Sequence, residues 1–449
     1  MNAGKVKVSV LTSRRWLAII RREVWVLPKN TSWPRAVDGF DRNAYLLFIT
    51  AGLLGFTYWG ITYLLTNLFV LRLGYGTEVV GNLNFLFYLL VTVFSIPAGT
   101  LGMVTGPRRA MILGGILALA GWAIAPAAIF ILAPRARIAA LAASRIISAL
   151  GGALFIVNSN PALMGAVEPA VSTYAFAFNG TVISITTFVG SLCGGLLPNL
   201  FSAVTHTSLS SSIPYGLALW AAVVVLAPGL LLLGFFRETG KGAKEEDHRA
   251  AARLPVALIA VIVVVRFLRE YGYGGVLTFF NVYLDTSLRL PTASIGVLVS
   301  IAAIASVLCT PLMPIVARRW GTGLTSLVGL IAMGIATLPL ALVKSWPPAA
   351  IGWAGMTAAN SLNEAAMQVY ILEIVATRWR AVMSGAANMA STLGLAASAL
   401  GGGYLIRAAG FRAVFLLSAG LLFASAASFA AHLRLHRRAR KAQEVVPAR

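Results

Sequence analysis

Arg145, Arg266, Arg269, Glu270 and Glu364 lie deep inside stretches of sequence that are otherwise apolar enough to cross a bilayer. On insertion scales a charge at the bilayer centre costs about 2.5–3.5 kcal/mol, so each of these side chains needs a partner or a water-filled cavity. The chemistry they offer is charge pairing and proton binding. Glu364 falls near the middle of its stretch, where loss of hydration disfavours the ionised carboxylate and suits the group to take up and release a proton. No acidic residue sits at mid-depth in the first six stretches. A carboxylate proton carrier therefore has to come from the second half, with Glu364 the first candidate and Glu270 the second. The other reading of Glu364 is a permanently protonated side chain hydrogen-bonded to an asparagine. Arg145 cannot shed its charge, so it calls for a carboxylate, backbone carbonyls or an anionic group on a bound solute. A structural clamp within the first half is the alternative for it.

The surrounding residues extend these candidates. Arg266 and Glu270 are four apart and on one helical face, close enough to pair locally. Gly272, Gly274 and Gly275 follow at once; such a run marks a helix break or hinge, or else the close packing of two spans. Asn360, Asn363, Glu364, Met367 and Ile371 read as one polar-to-apolar helix face, with Gln368 one turn beyond Glu364. Asn281 and Asp285 fall toward the outer end of their stretch, where Asp285 is read as solvated. The first stretch supplies Tyr58, Trp59, Tyr63 and Asn67, the second Asn84 and Tyr88, and the fifth Asn179. Aromatic walls with a few amides suit an amphipathic solute of moderate size, although any one ring is also explained by packing or an interface anchor.

The elements that must hold these residues are helices. The chain is 58% hydrophobic and 11% charged, with a mean hydropathy of +0.83, values outside the range of soluble domains. It divides into twelve apolar stretches, each near the roughly 20 residues a spanning helix needs. No loop is long enough for a further folded domain, and strand-like alternation is absent, so the expected fold is an all-α membrane protein of two pseudo-symmetric six-helix bundles. The second six stretches repeat the spacing of the first. Asn67, Gly81 and the basic turn Gly106-Pro107-Arg108-Arg109 answer to Asn281, Gly296 and Arg318-Arg319-Trp320-Gly321. A duplicated six-span unit is the trace of a protein whose halves rock about a site between them. The expected organisation is a basic amphipathic arm over 1–42, a first bundle over 43–236, a polar linker over 237–253, a second bundle over 254–433 and a basic tail over 434–449.

The net charge of +22 raises the question of nucleic acid, and its placement answers it. With the N-terminus inside, 26 of the 36 Lys and Arg residues fall on the cytoplasmic side. This positive-inside bias puts both termini in the cytoplasm and the chain in the plasma membrane. Basic segments there attract anionic headgroups of the lipid bilayer, and no nucleic-acid partner is needed. Trp16–Ile20 is too short for the apolar region of a secretory signal and is bracketed by arginines; Leu17, Ile20, Val24 and Leu27 share one face, as in a helix lying in the inner headgroup layer. Cys193 and Cys309 have no partner at motif spacing, no histidine lies at mid-membrane, and no phosphate-cradling Gly-Lys-Ser/Thr loop is present. Metal, cofactor and ATP-driven chemistry therefore gain no support.

Three local motifs resemble those of the major facilitator superfamily, and the resemblance spans roughly residues 43–433. The family's signature in the loop after the second span finds Gly99, Leu101, Gly106 and Arg108. Met103 stands in place of its acidic residue, and Arg318 occupies that position in the second copy, with Arg319 and Gly321 following. The acidic member of the gating turn is thus missing twice. The span-four signature reads as Leu141, Arg145, Ala149, Gly151 and Ala153; in the family this pattern accompanies proton-coupled export. The exporter signature of span five appears as Gly190-Ser191-Leu192-Cys193-Gly194-Gly195, with Ser191 where proline is expected. Glu373, followed by Arg378 and Arg380, reads as gate or headgroup electrostatics.

The resemblance implies a secondary transporter working by alternating access, with a small-molecule substrate and the proton as coupling ion. Export of small amphipathic compounds is the leading expectation, and uptake of a polar nutrient such as a sugar or organic acid is the alternative. A membrane-embedded lipid enzyme would need a nucleophile–base pair that the sequence lacks, and the duplicated architecture argues against a passive channel. One chain already contains both halves of the site, so a monomer suffices. The charge bias gives a direct test. Single cysteines placed at Gly242 and Gly323 should react with an impermeant thiol reagent only from the cytoplasmic side, and labelling of either in intact cells from outside would reverse the orientation.

Overall fold

A computed structural model describes residues 40–168, 172–236, 256–375 and 379–445. The amphipathic arm and the polar linker expected from the sequence lie outside the described residues, as does Arg378. Among the described residues we distinguish twelve long helical segments, two of them parts of one helix bent at Gly410. They are α1 (Arg42–Arg72), α2 (Thr77–Thr105), α3 (Pro107–Phe130), α4 (Pro134–Gly165), α5 (Ser172–Thr205) and α6 (Ile213–Leu232) in the first half. The second half holds α7 (Val256–Thr286), α8 (Thr292–Cys309, extended by Met313–Trp320), α9 (Thr322–Leu342), α10 (Trp346–Glu373), and α11 (380–409) and α12 (411–445), which meet at a bend. No strand occurs among the described residues, only an isolated bridge between Phe40 and Val167.

Nine helices among the described residues are long and apolar enough to span a membrane, fewer than the twelve expected, for identifiable reasons. α11 and α12 merge into one continuous helix except at Gly410, where φ is +78° and the chain turns back. α7 and α10 fall short on apolarity because they carry Arg266, Arg269, Glu270, Asn360 and Glu364. α7 and α10 are the helices that hold the paired charges. α12 also continues as helix to Val445, through most of the basic tail expected from residue 434.

The duplication is visible in the backbone. Gly106 joins α2 to α3 with φ +90°, and Gly321 joins α8 to α9 with φ +81°. Each closes its preceding helix through the same bond, Gly106 N–H to the Gly102 carbonyl and Gly321 N–H to the Ala317 carbonyl. Each also accepts from the residue four on, Ala110 and Thr325 respectively. Only glycine adopts this φ without strain, which explains its presence in both copies.

The second duplicated glycine pair seals one end of the molecule. A Cβ on Gly81 would lie 2.4 Å from the Ala399 carbonyl, and one on Gly296 would lie 2.7 Å from the Gly195 Cα. α2 therefore meets α11, and α8 meets α5, backbone to backbone across the two halves, as small residues permit in membranes. At this end a single apolar cluster draws on both halves, with Leu64, Phe69 and Tyr215 beside Phe279, Tyr283 and Ile295. Toward the basic turns the clusters separate, one around Phe48, Met111 and Leu163 and another around Ile262, Met367 and Phe429. The halves are joined at one end and apart at the other.

Gly296→Val would place a branched side chain against backbone that cannot move aside. The joined end should separate. Spin labels at Arg135, in the first turn of α4, and at Lys344, in the connection before α10, should show a longer distance distribution than in the unsubstituted chain. An unchanged distribution would mean that the contact yields.

Candidate functional site

α7 positions three charges on successive faces, and the structure resolves how they are satisfied. Arg266 donates to both carboxylate oxygens of Glu364 on α10, at 2.7 and 3.0 Å. Arg269 reaches the same carboxylate at 2.7 Å and also pairs with Glu270 and with the Asn360 carbonyl oxygen. Gln368 donates to Glu364 Oε1 at 2.9 Å. The expected local pair of Arg266 with Glu270 is replaced by this arrangement: the planar guanidinium fork finds a bidentate partner across the helix gap, and Glu270 takes the adjacent arginine. Arg266, Arg269 and Glu270 are buried, whereas the Glu364 side chain is 36% exposed. The carboxylate thus has two guanidinium groups behind it and open space in front.

Three sequence readings are corrected here. α7 is continuous through Gly272, Gly274 and Gly275, so the run is no break. Added Cβ atoms at these positions would strike Ser418, Ser398 and Leu422 on the bent helix pair, and the run serves close packing. The single face read on α10 divides in two. Asn360, Glu364 and Gln368 join the charge cluster with Arg266 and Arg269, while Asn363 is fully buried and donates to the Ser326 carbonyl on α9 at 2.8 Å. Met367 and Ile371 are buried with it, because a step of three turns a side chain 60° short of a full circle. Asp285 is not solvated: its side chain is 6% exposed and holds Arg72 of α1 at 2.5 and 2.8 Å.

In the first half, Tyr63 donates to the Leu277 carbonyl at 2.6 Å, and the Asn67 amide donates to the Thr278 carbonyl at 2.8 Å while accepting from Asn84. Both residues thereby tie α1 to α7. Asn281 is buried in the same region. Tyr58 stacks on Trp122 at 4.9 Å and neighbours Phe87, and these rings wall an apolar pocket with Leu54 and Phe155. Arg145 lies with its guanidinium carbon 6.0 Å from the Phe87 ring centre. Tyr58 and Tyr88 are its electrostatic neighbours, and Tyr88 is in turn within electrostatic reach of Glu270.

The gating-turn residues stay within their own halves. Arg108 donates to the Gly234 carbonyl, Glu373 accepts from Thr322, and Arg380 donates to the Leu372 carbonyl. Gly99 packs beside Val157, and Arg318 and Arg319 are exposed. The ion pairs Arg72–Asp285 and Glu78–Arg407 join the halves at the opposite, sealed end.

One element was not legible beforehand. α1 widens into a π-helix over Gly55–Thr62, the segment carrying Tyr58 and Trp59. π-Turns recur at functional sites because they re-aim side chains. The available signal was the pair Gly55 and Gly60. A Cβ on Gly55 would lie 2.7 Å from the Ile183 carbonyl, and one on Gly60 would lie 2.6 Å from the Gly190 Cα. The span-five glycines serve the same contact, with Gly190 and Gly194 against α1 and Gly195 against α8.

The Arg72–Asp285 pair makes a quantitative test. Asp285→Asn leaves Arg72 with only the Leu209 carbonyl and the Tyr215 hydroxyl. It should cost about 2–3 kcal/mol in thermal unfolding, at the low end for a broken buried pair because Arg72 is partly exposed. Adding Arg72→Met should recover part of that loss, and additive losses would deny the coupling.

Comparison with known proteins agrees with this architecture. The chain resembles in structure a point variant of the nucleoside transporter NupG, with a TM-score of 0.69 at 14% identity, over 87% of this chain and 99% of that one. A D-xylose-proton symporter aligns with a TM-score of 0.69 at 14% identity over 89% and 97%. A bacterial homologue of the iron transporter ferroportin, in an inward-facing state, aligns with 0.65 at 15% over 86% and 98%. At these identities the likeness is one of fold. No curated protein matches the chain in sequence. The family model described as Major Facilitator Superfamily matches residues 47–269 and again 262–448, covering both halves in turn, and the chain belongs to that superfamily of transporters.

Proposed function

We propose that the chain is a proton-coupled secondary transporter of small amphipathic molecules, with Glu364 as the proton carrier. The observation that carries this reading is the position of Glu364. Its carboxylate is paired with Arg266 and Arg269 yet its side chain stays 36% exposed. A proton arriving there neutralises the carboxylate that Arg266 grips with both nitrogens, while Arg269 keeps Glu270 and Asn360, so protonation changes the charge presented to the cavity. A buried, permanently protonated glutamate would not sit between two arginines. The aromatic pocket of Tyr58, Phe87 and Trp122 supports an amphipathic solute over a purely polar one.

Export in exchange for protons is the direction that the span-four pattern around Arg145 favours. Uptake together with protons is the second reading, favoured by a specific observation: Arg145 carries a positive charge with no carboxylate partner among the described residues. In either case the separated end faces the cytoplasm of a plasma-membrane protein with both termini inside, and a monomer is the working unit.

Glu364→Gln tests the proton role, since it keeps shape and hydrogen bonding but cannot release a proton. In proteoliposomes, the variant should lose accumulation driven by a pH gradient and retain solute exchange, and the pH dependence of binding should flatten. Intact gradient-driven accumulation would pass the proton role to Glu270 or to another coupling ion. Everted vesicles with an acidified interior should accumulate solute if the protein exports, whereas right-side-out vesicles in acidic medium should accumulate it if uptake is the direction.

A further inference from the structure

The charges that border the space between the halves do not balance. On the second half, Arg266 and Arg269 face Glu270 and Glu364, two positive against two negative, and the four are bonded to one another. On the first half stands Arg145. No carboxylate and no hydrogen-bond acceptor among the described residues holds its guanidinium. Its surroundings are the Phe87 face and the tyrosines Tyr58 and Tyr88. Tyr58 and Phe87 also wall the apolar pocket together with Trp122 and Phe155. An unbalanced cation thus borders an apolar, aromatic recess.

Such a charge is tolerable while the halves are apart, because water reaches it. Closing the halves over an empty site would strip that water and leave an unpaired guanidinium in a low-dielectric interior. A guest that brings one negative charge removes the penalty, and the planar guanidinium is suited to a carboxylate or other oxyanion. The pocket supplies the rest of the recognition, since its lining is aromatic and aliphatic.

We infer that the substrate is an amphipathic organic anion, its anionic group held by Arg145 and its apolar body lodged against Tyr58, Phe87 and Trp122. This inference rests on reading the cavity as a transport site, and it sides with the second reading of direction, carriage of the solute together with the proton. It also gives Arg145 a role that a clamp within the first half would not have: it selects the sign of the solute's charge.

The test compares matched pairs of probes on the purified full-length protein with no gradient present. Benzoate, 2-naphthoate and dodecanoate are each set against their neutral carboxamides. Binding is read by the shift in thermal midpoint and by quenching of tryptophan fluorescence, to which Trp59 and Trp122 contribute. At least one carboxylate should bind tenfold or more tightly than its amide. Arg145→Gln should reduce that ratio to within twofold, and Arg145→Lys should keep part of it. If no carboxylate exceeds its amide tenfold, or if Arg145→Gln retains the preference, the inference is overturned. Should Arg145→Gln fail to fold, the wild-type ratio and Arg145→Lys still decide it. A charge preference without gradient-driven flux would instead count against the proton-coupled reading and leave this one standing.

Discussion

An ionised side chain inside a bilayer has to meet its counter-charge within the protein, and the placement of α7 against α10 answers to that need. Arg266 and Arg269 sit about three turns of helix into α7 and converge on Glu364. Each charge would cost about 2.5–3.5 kcal/mol alone at mid-membrane. Bonded as a group, they turn four liabilities into one neutral cluster. Asn360 and Gln368 complete the shell on either side of the carboxylate. Because all of these groups belong to the second half, the cluster can move as a body when the halves shift.

The contacts between the halves are of a different kind. At the sealed end they are made by backbone meeting backbone at Gly81 and Gly296 and by side chains donating to carbonyls, as Tyr63 and Asn67 do. Arg72 and Asp285 add an ion pair that is buried when this end is closed. If the end opens, both partners regain water, so the pair gives closure geometric definition at a modest net difference in energy. These directional contacts separate and re-form as units, and the apolar cluster shared at the same end has to part with them when the two bundles rock.

Much of this was legible in the sequence, and the parts that were not share a cause. The duplicated turns at Gly106 and Gly321 were visible because a left-handed backbone demands glycine at fixed spacing. The chemistry of Arg145, Arg266, Arg269 and Glu364 was visible because charge is rare in apolar stretches. What stayed hidden depended on which neighbour each face would meet. Asn363 and Glu364 are adjacent in sequence, yet one clamps α9 and the other faces the cavity. The glycines after Glu270 permit either a bend or a close contact, and only the position of the bent helix pair decides for contact. Asp285 looked like a surface residue until Arg72, more than two hundred positions earlier, was brought to it.

On the proposed mechanism, proton and substrate communicate through the charge balance of the cavity. With Glu364 ionised, the second half presents a neutral cluster and the first half a single positive charge at Arg145. With Glu364 protonated, the second half gains a positive charge, and like charges then face one another across the cavity. Repulsion of that kind opposes closure of an empty site, in a medium where screening is weak. A guest anion relieves it on both sides, so its binding and that of the proton reinforce each other, as linkage requires in both directions. A cationic guest would compete with the proton, and a neutral one would be nearly indifferent to it. The charge of the substrate and the direction of coupling are therefore one question. An anion at Arg145 favours carriage together with the proton, and exchange against protons requires that the guest leave Arg145 otherwise satisfied.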